Sequence, residues 1–223
     1  KGAIFDVDDT LLDNKPGKPG SGLHEQSRLA AVHKVGELHD IRALMKFSAQ
    51  DNLDAFLNAP VHTLDAAVWN VLLMTGIADS EVINTDHPLL KEIVTLKNEL
   101  HAVILLREGE EVPGAIAFVQ GLAAHGLENK LAIASTAIRR DIDIFLHKTG
   151  LQALFPDSRI KSKESITHPK PNPEVFNLAF NSLHLSEDLR NQVCAFEDDQ
   201  RGIMAAKAAG LYTCASTTRY KRD

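Results

Sequence analysis

The 223 residues of this chain, 44% hydrophobic and 24% charged, have the proportions of one large folded domain or one domain carrying a smaller one, which excludes general disorder and collagen-like repeats. A net charge of −6 and only 5% aromatic residues argue against a nucleic-acid partner, which wants a basic surface and stacking platforms. No apolar stretch nears the roughly 20 residues needed to span a bilayer, no secretory signal pattern follows Lys1, and Cys194 and Cys214 suit a reducing, cytoplasmic setting better than a disulfide framework.

Residues 1–13, KGAIFDVDDTLLD, read as a short buried strand. Ala3, Ile4, Phe5 and Val7 are apolar, and acids crowd in from Asp6 onward. Open α/β sheets place their sites at such strand ends. Residues 14–22, NKPGKPGSG, hold two prolines and three glycines and form a linker, a hinge or a simple long loop. From Leu23 to about Arg107 the signals are helical. Apolar residues crowd positions 64–74, with Gly76 as a stop. Asp86 reads as an N-cap with Pro88 in the first turn of the next helix. Leu89, Ile93, Leu96, Leu100 and Val103 then form one apolar helical face, expected to be core.

Beyond Pro113 a helix to His125 precedes the apolar run LAIAS at 131–135. A helix over 138–148 closes at Gly150, and another covers 176–183. The run QVCAFEDD at 192–199 again ends in acids, followed by the helix RGIMAAKAAG and a last short strand, LYTCAS. Strands alternating with helices imply a parallel sheet covered on both faces. The expected architecture is a Rossmann-like α/β core, residues 1–16 and 109–223, with an inserted helical domain over 17–108.

Four features carry chemistry. Asp6, Asp8 and Asp9 would repel one another without a cation among them, and oxygen-rich sites favour Mg²⁺. Asp6 and Asp8 share a face in an extended chain; the competing reading is a solvated acidic turn. Glu197, Asp198 and Asp199 form a second acidic strand end, which on the same sheet edge strengthens a metal site; alone, these acids would serve a helix N-terminus. Lys170, between Pro169 and Pro171, is held rigidly enough to neutralise an anion, or is an exposed lysine in a turn. Ser135 and Thr136 can hold a phosphate oxygen at a strand-to-helix turn, or Ser135 caps the helix that follows.

In this order, FDVDDTLLD, LAIAS, KPNPEVF and FEDDQRGIMAAKAAG resemble the four motifs of the haloacid dehalogenase superfamily. The resemblance covers about residues 1–14 and 109–216. The insertion after the first motif is similar to the helical cap of the phosphoglycolate phosphatase and β-phosphoglucomutase branch. It implies that Asp6 attacks phosphorus to form an aspartyl-phosphate, and that Asp8 protonates the leaving oxygen and then activates water. Mg²⁺ would be held by Asp6, the Asp8 backbone carbonyl and Asp198, with Glu197 in support. Ser135, Thr136, Lys170 and Asp9 would hold the phosphoryl group, and Thr10 would orient the loop. Dehalogenases of this superfamily lack an acid two positions after the nucleophile, so Asp8 disfavours dehalogenation.

Three departures stand out: Asp9 where many relatives have Gly, Asp199 where this branch often has Ser, and a long Pro/Gly linker. Relatives also continue beyond the strand LYTCAS, so native termini extending further are expected. The implied partner is a small phosphorylated metabolite, acted on by a monomer or weak dimer. In the cap, His24, Arg42, Lys46 and Ser48 are candidates for reading the leaving group, against the blander reading of solvated surface residues. The histidines are scattered, and no zinc site is expected. The implied activity is a Mg²⁺-dependent phosphatase. The alternatives are a phosphomutase sharing the first half-reaction and a non-catalytic regulatory protein.

Overall fold

The structure, a computed structural model, describes residues 1–14, 20–61 and 63–217. Residues 15–19, the centre of the Pro/Gly linker, lie outside the described residues. In chain order the helices and strands are β1 (Gly2–Phe5), β2 (Leu12–Asp13), α1 (Leu23–Leu38), α2 (Arg42–Met45), α3 (Ala49–Leu57), α4 (Leu64–Met74), α5 (Pro88–Glu108), β3 (Glu110–Glu111), α6 (Ala115–Leu122), β4 (Leu131–Ala134), α7 (Arg139–Thr149), β5 (Ile160–Lys161), α8 (Glu174–Ser182), β6 (Val193–Glu197), α9 (Gln200–Ala208) and β7 (Tyr212–Ala215). They fall into two compact units, Lys1–Asn14 with Gly109–Asp223, and Lys15–Glu108.

The first unit is an α/β fold. Five strands pair in the order β5-β4-β1-β6-β7, all parallel. From the central β1 the chain builds first towards β4 and β5, then returns to the other side as β6 and β7. That reversal is where a parallel sheet opens a crevice at the C-terminal ends of its strands. Alternation along the strands sends neighbouring residues to opposite faces. Ile4, Ala132, Ala134 and Ala195 therefore pack with Phe176 and Phe180 of α8 and Ala205 and Ala206 of α9. On the other face Phe5 stacks on Phe196 at 4.9 Å between ring centroids, and Phe118 of α6 meets Phe196 edge-on at 5.2 Å. The sheet is thus covered on both faces. β2 and β3 form a short antiparallel pair beside it.

The second unit is helical, α1 to α5, around a core that includes Val32, Leu44, Trp69, Leu72 and Ile93. Two local expectations need correction. The helix α5 begins at Pro88, so His87 occupies the cap position and its carbonyl accepts the Lys91 N–H at 3.1 Å. Asp86 instead pairs with the Lys91 ammonium at 2.6 Å. The buried row of α5 is Leu90, Ile93, Lys97, His101, Ile104 and Leu105. Of the predicted stripe, Ile93 is fully buried and Leu89, Leu96 and Leu100 pack against the core partly buried, as expected, while Val103 is 60% exposed. Two polar side chains, Lys97 and His101, share the buried row. Among the described residues, no helix is long and apolar enough to cross a membrane.

Candidate active site

Phe5 pairs in register with Ile133 on one side and Phe196 on the other. The next residue on each strand, Asp6, Ala134 and Glu197, therefore arrives level at the C-terminal edge. Lys170, from the proline-rich loop before α8, closes this row. Its Nζ donates to Asp6 Oδ1 at 2.6 Å, to the Ala134 carbonyl at 2.9 Å and to Glu197 Oε1 at 2.5 Å. The lysine side chain is 9% exposed, and its ammonium lies 5.0 Å from the centre of the Phe176 ring.

Glu197 Oε2 accepts the backbone N–H of Asp198 and Asp199, at 3.0 and 3.2 Å. Glu197 thus spends its oxygens on fixing Lys170 and the turn into α9. This close approach depends on Gly202, where a Cβ would fall 1.9 Å from Glu197 Oε1. Thr10 donates to Asp198 Oδ1 at 3.5 Å, an orienting contact between the first loop and the last. One carboxylate oxygen each from Asp6, Glu197 and Asp198, all buried residues, lie within 4.8 Å of one another.

The charges in this row do not balance. Burial drives the Asp6 carboxyl well above its ordinary range; Lys170 pulls it back, and Glu197, Asp8 and Asp198 push it further up. Lys170 is held up at about 12: burial opposes its charge, but Asp6 and Glu197 outweigh burial. One ammonium among four acids leaves a surplus of negative charge in a dry place. A hard divalent cation fits that surplus and an all-oxygen donor set, and Mg²⁺ is the usual occupant of such sites.

The remaining candidates separate clearly. Asp8 is half-buried, and its Oδ1 accepts the side-chain amide of Asn14 at 2.9 Å. Asp9, expected beside the phosphoryl group, is engaged in the turn. Its N–H donates to the Leu12 carbonyl at 2.7 Å and its Oδ1 accepts the Asn14 N–H at 3.0 Å. With its backbone donor committed and an anionic side chain, it shapes the turn, in a left-handed conformation at φ 60°. Ser135 is buried at the end of β4, and its Oγ accepts the Ala137 N–H at 3.1 Å. It does not cap α7, which starts later; the Arg139 N–H is taken by Glu164 at 3.0 Å. Thr136 is exposed beside Ser135. Asp199 caps α9, accepting the Arg201 N–H at 2.9 Å.

In the helical unit, His24 Nδ1 lies 3.1 Å from Lys97 Nζ, and the His24 ring stacks on His101 at 4.1 Å. Arg42 and Lys46 are exposed, and Ser48 caps α3 in a reciprocal pair with Asp51. Sequence reasoning missed Lys97, His101, Asn14 and the buried Arg28, which donates to Asn52 Oδ1 at 2.7 Å and to the Asn52 carbonyl at 2.8 Å. The signal available for Lys97 and His101 was their spacing of four along the row that Ile93 begins.

Comparison with known proteins gives the family and the fold. A family model for haloacid dehalogenase-like hydrolases matches residues 1–210. The fructose-1-phosphate phosphatase YqaB of Escherichia coli (strain K12) is 23% identical over 211 residues, covering 94% of this chain and 93% of that protein. The phosphorylated carbohydrates phosphatase of Thermotoga maritima is 30% identical over 107 residues, about half of each chain at 48% and 45%. The crystal structure of a HAD hydrolase of family IA, variant 3, from Entamoeba histolytica superposes with a TM-score of 0.75 at 19% identity, over 99% of this chain and 86% of that one. That last likeness is one of fold.

Proposed function

Taking as premise that this chain belongs to the haloacid dehalogenase-like hydrolases and is a phosphatase of that family, we propose that it hydrolyses a small phosphate monoester, such as a sugar phosphate, through an aspartyl-phosphate on Asp6. The observation that carries this reading is the lysine shared by Asp6, Ala134 and Glu197. It fixes one Asp6 oxygen and leaves the carboxylate anchored in a site rich in charge and poor in water.

In the first half-reaction a carboxylate oxygen of Asp6 attacks phosphorus. The ester P–O bond breaks, and the departing alcohol oxygen takes a proton from the Asp8 carboxyl. In the second, the Asp8 carboxylate takes a proton from water, whose oxygen attacks phosphorus and frees Asp6 and inorganic phosphate. Lys170, with the Ser135 hydroxyl and the loop amides after it, offsets the charge spread over the phosphoryl oxygens. Asp6 and Asp198, steadied by Thr10 and by the Lys170–Glu197 pair, would hold Mg²⁺, which when bound screens the charge on the phosphate.

Phosphate release is to be measured over a panel of phosphate monoesters, with and without Mg²⁺, for the wild type and Asp6→Asn. Release that requires both the cation and Asp6 is expected. Release that persists in Asp6→Asn overturns the reading.

A further inference from the structure

Asn14 is a buried residue, 5% exposed, at the end of the short β2 strand. Nothing in its type or surroundings marks it as chemical, yet it makes two bonds to two consecutive acids of the first loop. Its side-chain Nδ2 donates to Asp8 Oδ1 at 2.9 Å, and its main-chain N–H donates to Asp9 Oδ1 at 3.0 Å.

The backbone around it is fixed. The amides of Thr10, Leu11 and Leu12 converge on the Val7 carbonyl, at 3.3, 2.9 and 2.9 Å. The turn is closed by the Asp9 N–H on the Leu12 carbonyl. Leu12 and Asp13 pair with Glu111 and Glu110, and the Val112 N–H reaches the Leu11 carbonyl at 2.8 Å. Asn14 therefore looks back over a rigid turn onto a half-buried carboxylate whose side chain has two torsions of its own.

From this we infer that Asn14 is a positioning residue for Asp8: its amide holds the plane of the carboxyl that exchanges protons with the leaving oxygen and with water. The inference rests on the acid–base role given to Asp8 above. An amide suits the task. It donates a hydrogen bond at every pH and neither gains nor loses a proton, so it orients Asp8 without competing for the proton being moved. Placement errors of about 1 Å in a reacting group cost on the order of a hundredfold in rate, so loss of this bond should register in the proton-transfer steps.

The test uses leaving groups of different basicity. p-Nitrophenolate departs without a proton, whereas an alkoxide needs one. Rapid-mixing measurements in the presence of Mg²⁺ would follow the first turnover with p-nitrophenyl phosphate and with glycerol phosphate, for wild type, Asn14→Ala, Asn14→Ser and Asp8→Ala. For Asn14→Ala, cleavage of glycerol phosphate should fall at least about tenfold. The p-nitrophenol burst should keep its rate within about threefold, while the later, water-dependent turnover slows. Asn14→Ser, which keeps a small donor, should recover part of the loss. Asp8→Ala should show the same split, on the order of a hundredfold or more.

An equal fall with both esters would mean that Asn14 only supports the fold, and no fall with either would also overturn the proposal. Should Asn14→Ala fail to fold, Asn14→Ser carries the test by the same split at smaller size, and an unsplit loss there overturns it. If Asp8→Ala itself shows no split, the acid–base reading of Asp8 is what fails. If Asp8→Ala shows it and the Asn14 variants do not, only the positioning role falls.

Discussion

Lys170 in the α/β unit and Arg28 in the helical unit are both largely buried cations, and they are treated in opposite ways. Lys170 sits among carboxylates, and its ammonium is held up at about 12 because Asp6 and Glu197 more than repay its burial. Arg28 in the helical unit is 3% exposed and bonds to neutral acceptors of Asn52; burial pulls it down to about 10, with Glu25 opposing only in part. The contrast separates a cation set among surplus acids from a cation bonded to neutral acceptors. Around Lys170 the acids are in excess, so the site still calls for positive charge. Around Arg28 the two hydrogen bonds go to neutral acceptors of Asn52, and the ring of Phe56 lies 5.3 Å from its guanidinium carbon.

The sharpest way to break this comparison is to remove each cation in turn. Lys170→Met leaves Asp6 and Glu197 as buried carboxylates without their partner, and should cost about 3–5 kcal/mol in urea unfolding without added metal. Adding Glu197→Gln to that variant should restore part of the loss, because one stranded charge is gone; no recovery would show that the lysine acts by packing. Arg28→Met strands the neutral acceptors of Asn52 and removes a weaker attraction to Glu25; it should cost about 2–3 kcal/mol, with less recovery from neutralising Glu25 than Glu197→Gln gives beside Lys170→Met.

Smaller changes sharpen the same contrast. Gly202→Ala places a methyl group on the Glu197 carboxylate and should cost about 1–2 kcal/mol through strain, together with a fall in phosphate release as Lys170 loses its anchor. An equivalent substitution at Gly121 in α6, where a Cβ meets nothing within 4 Å, is the control: it should leave phosphate release unchanged and raise stability by up to about 1 kcal/mol.

The smallest effect belongs to an exposed acid. Burial pushes Glu164 upward, but the Ser162 hydroxyl and the Arg139 amide outweigh it and hold the carboxyl below its usual range. A depressed carboxyl contributes stability above the unfolded value, near 4.3, and loses it as pH falls through the folded value. Glu164→Gln should therefore lower stability at pH 7 by about 0.5 kcal/mol, allowing for solvent screening. The difference from the wild type should shrink as pH falls below the unfolded value, in acid titrations of the unfolding midpoint.

What could be read from the amino acids follows the physics of each element. β1, β4, β6 and α9 were legible because continuous apolar runs end in acids, a serine or a glycine, and their order carried the fold class. β2, β3 and β5 are two residues long, too short to show any alternation, so their pairing cannot be seen without the third dimension. The core face of α5 was legible in Leu89, Ile93, Leu96 and Leu100, but Val103 is exposed and the buried Lys97 and His101 were passed over by a count of apolar side chains. Arg28 and Asn14 escaped for a related reason: a charged or amide side chain is expected at the surface unless a specific partner takes it inside, and the partners here lie on other elements or across a turn. The Asp6–Lys170–Glu197 arrangement was legible as four motifs but not as a bonded row, because strand register decides which atoms meet.

That row has a kinetic consequence. Asp6 and Lys170 are 164 residues apart along the chain, and Lys170 and Glu197 a further 27. Loops of this length close late, since their entropy must be met before the contacts can reward it. Asp6 is made before both Lys170 and Glu197, so its lysine is not anchored until the later strand that carries Glu197 is in place. A growing polypeptide therefore carries Asp6 without its buried partners until both later segments have been made, and the bonded row closes only through long-range contacts.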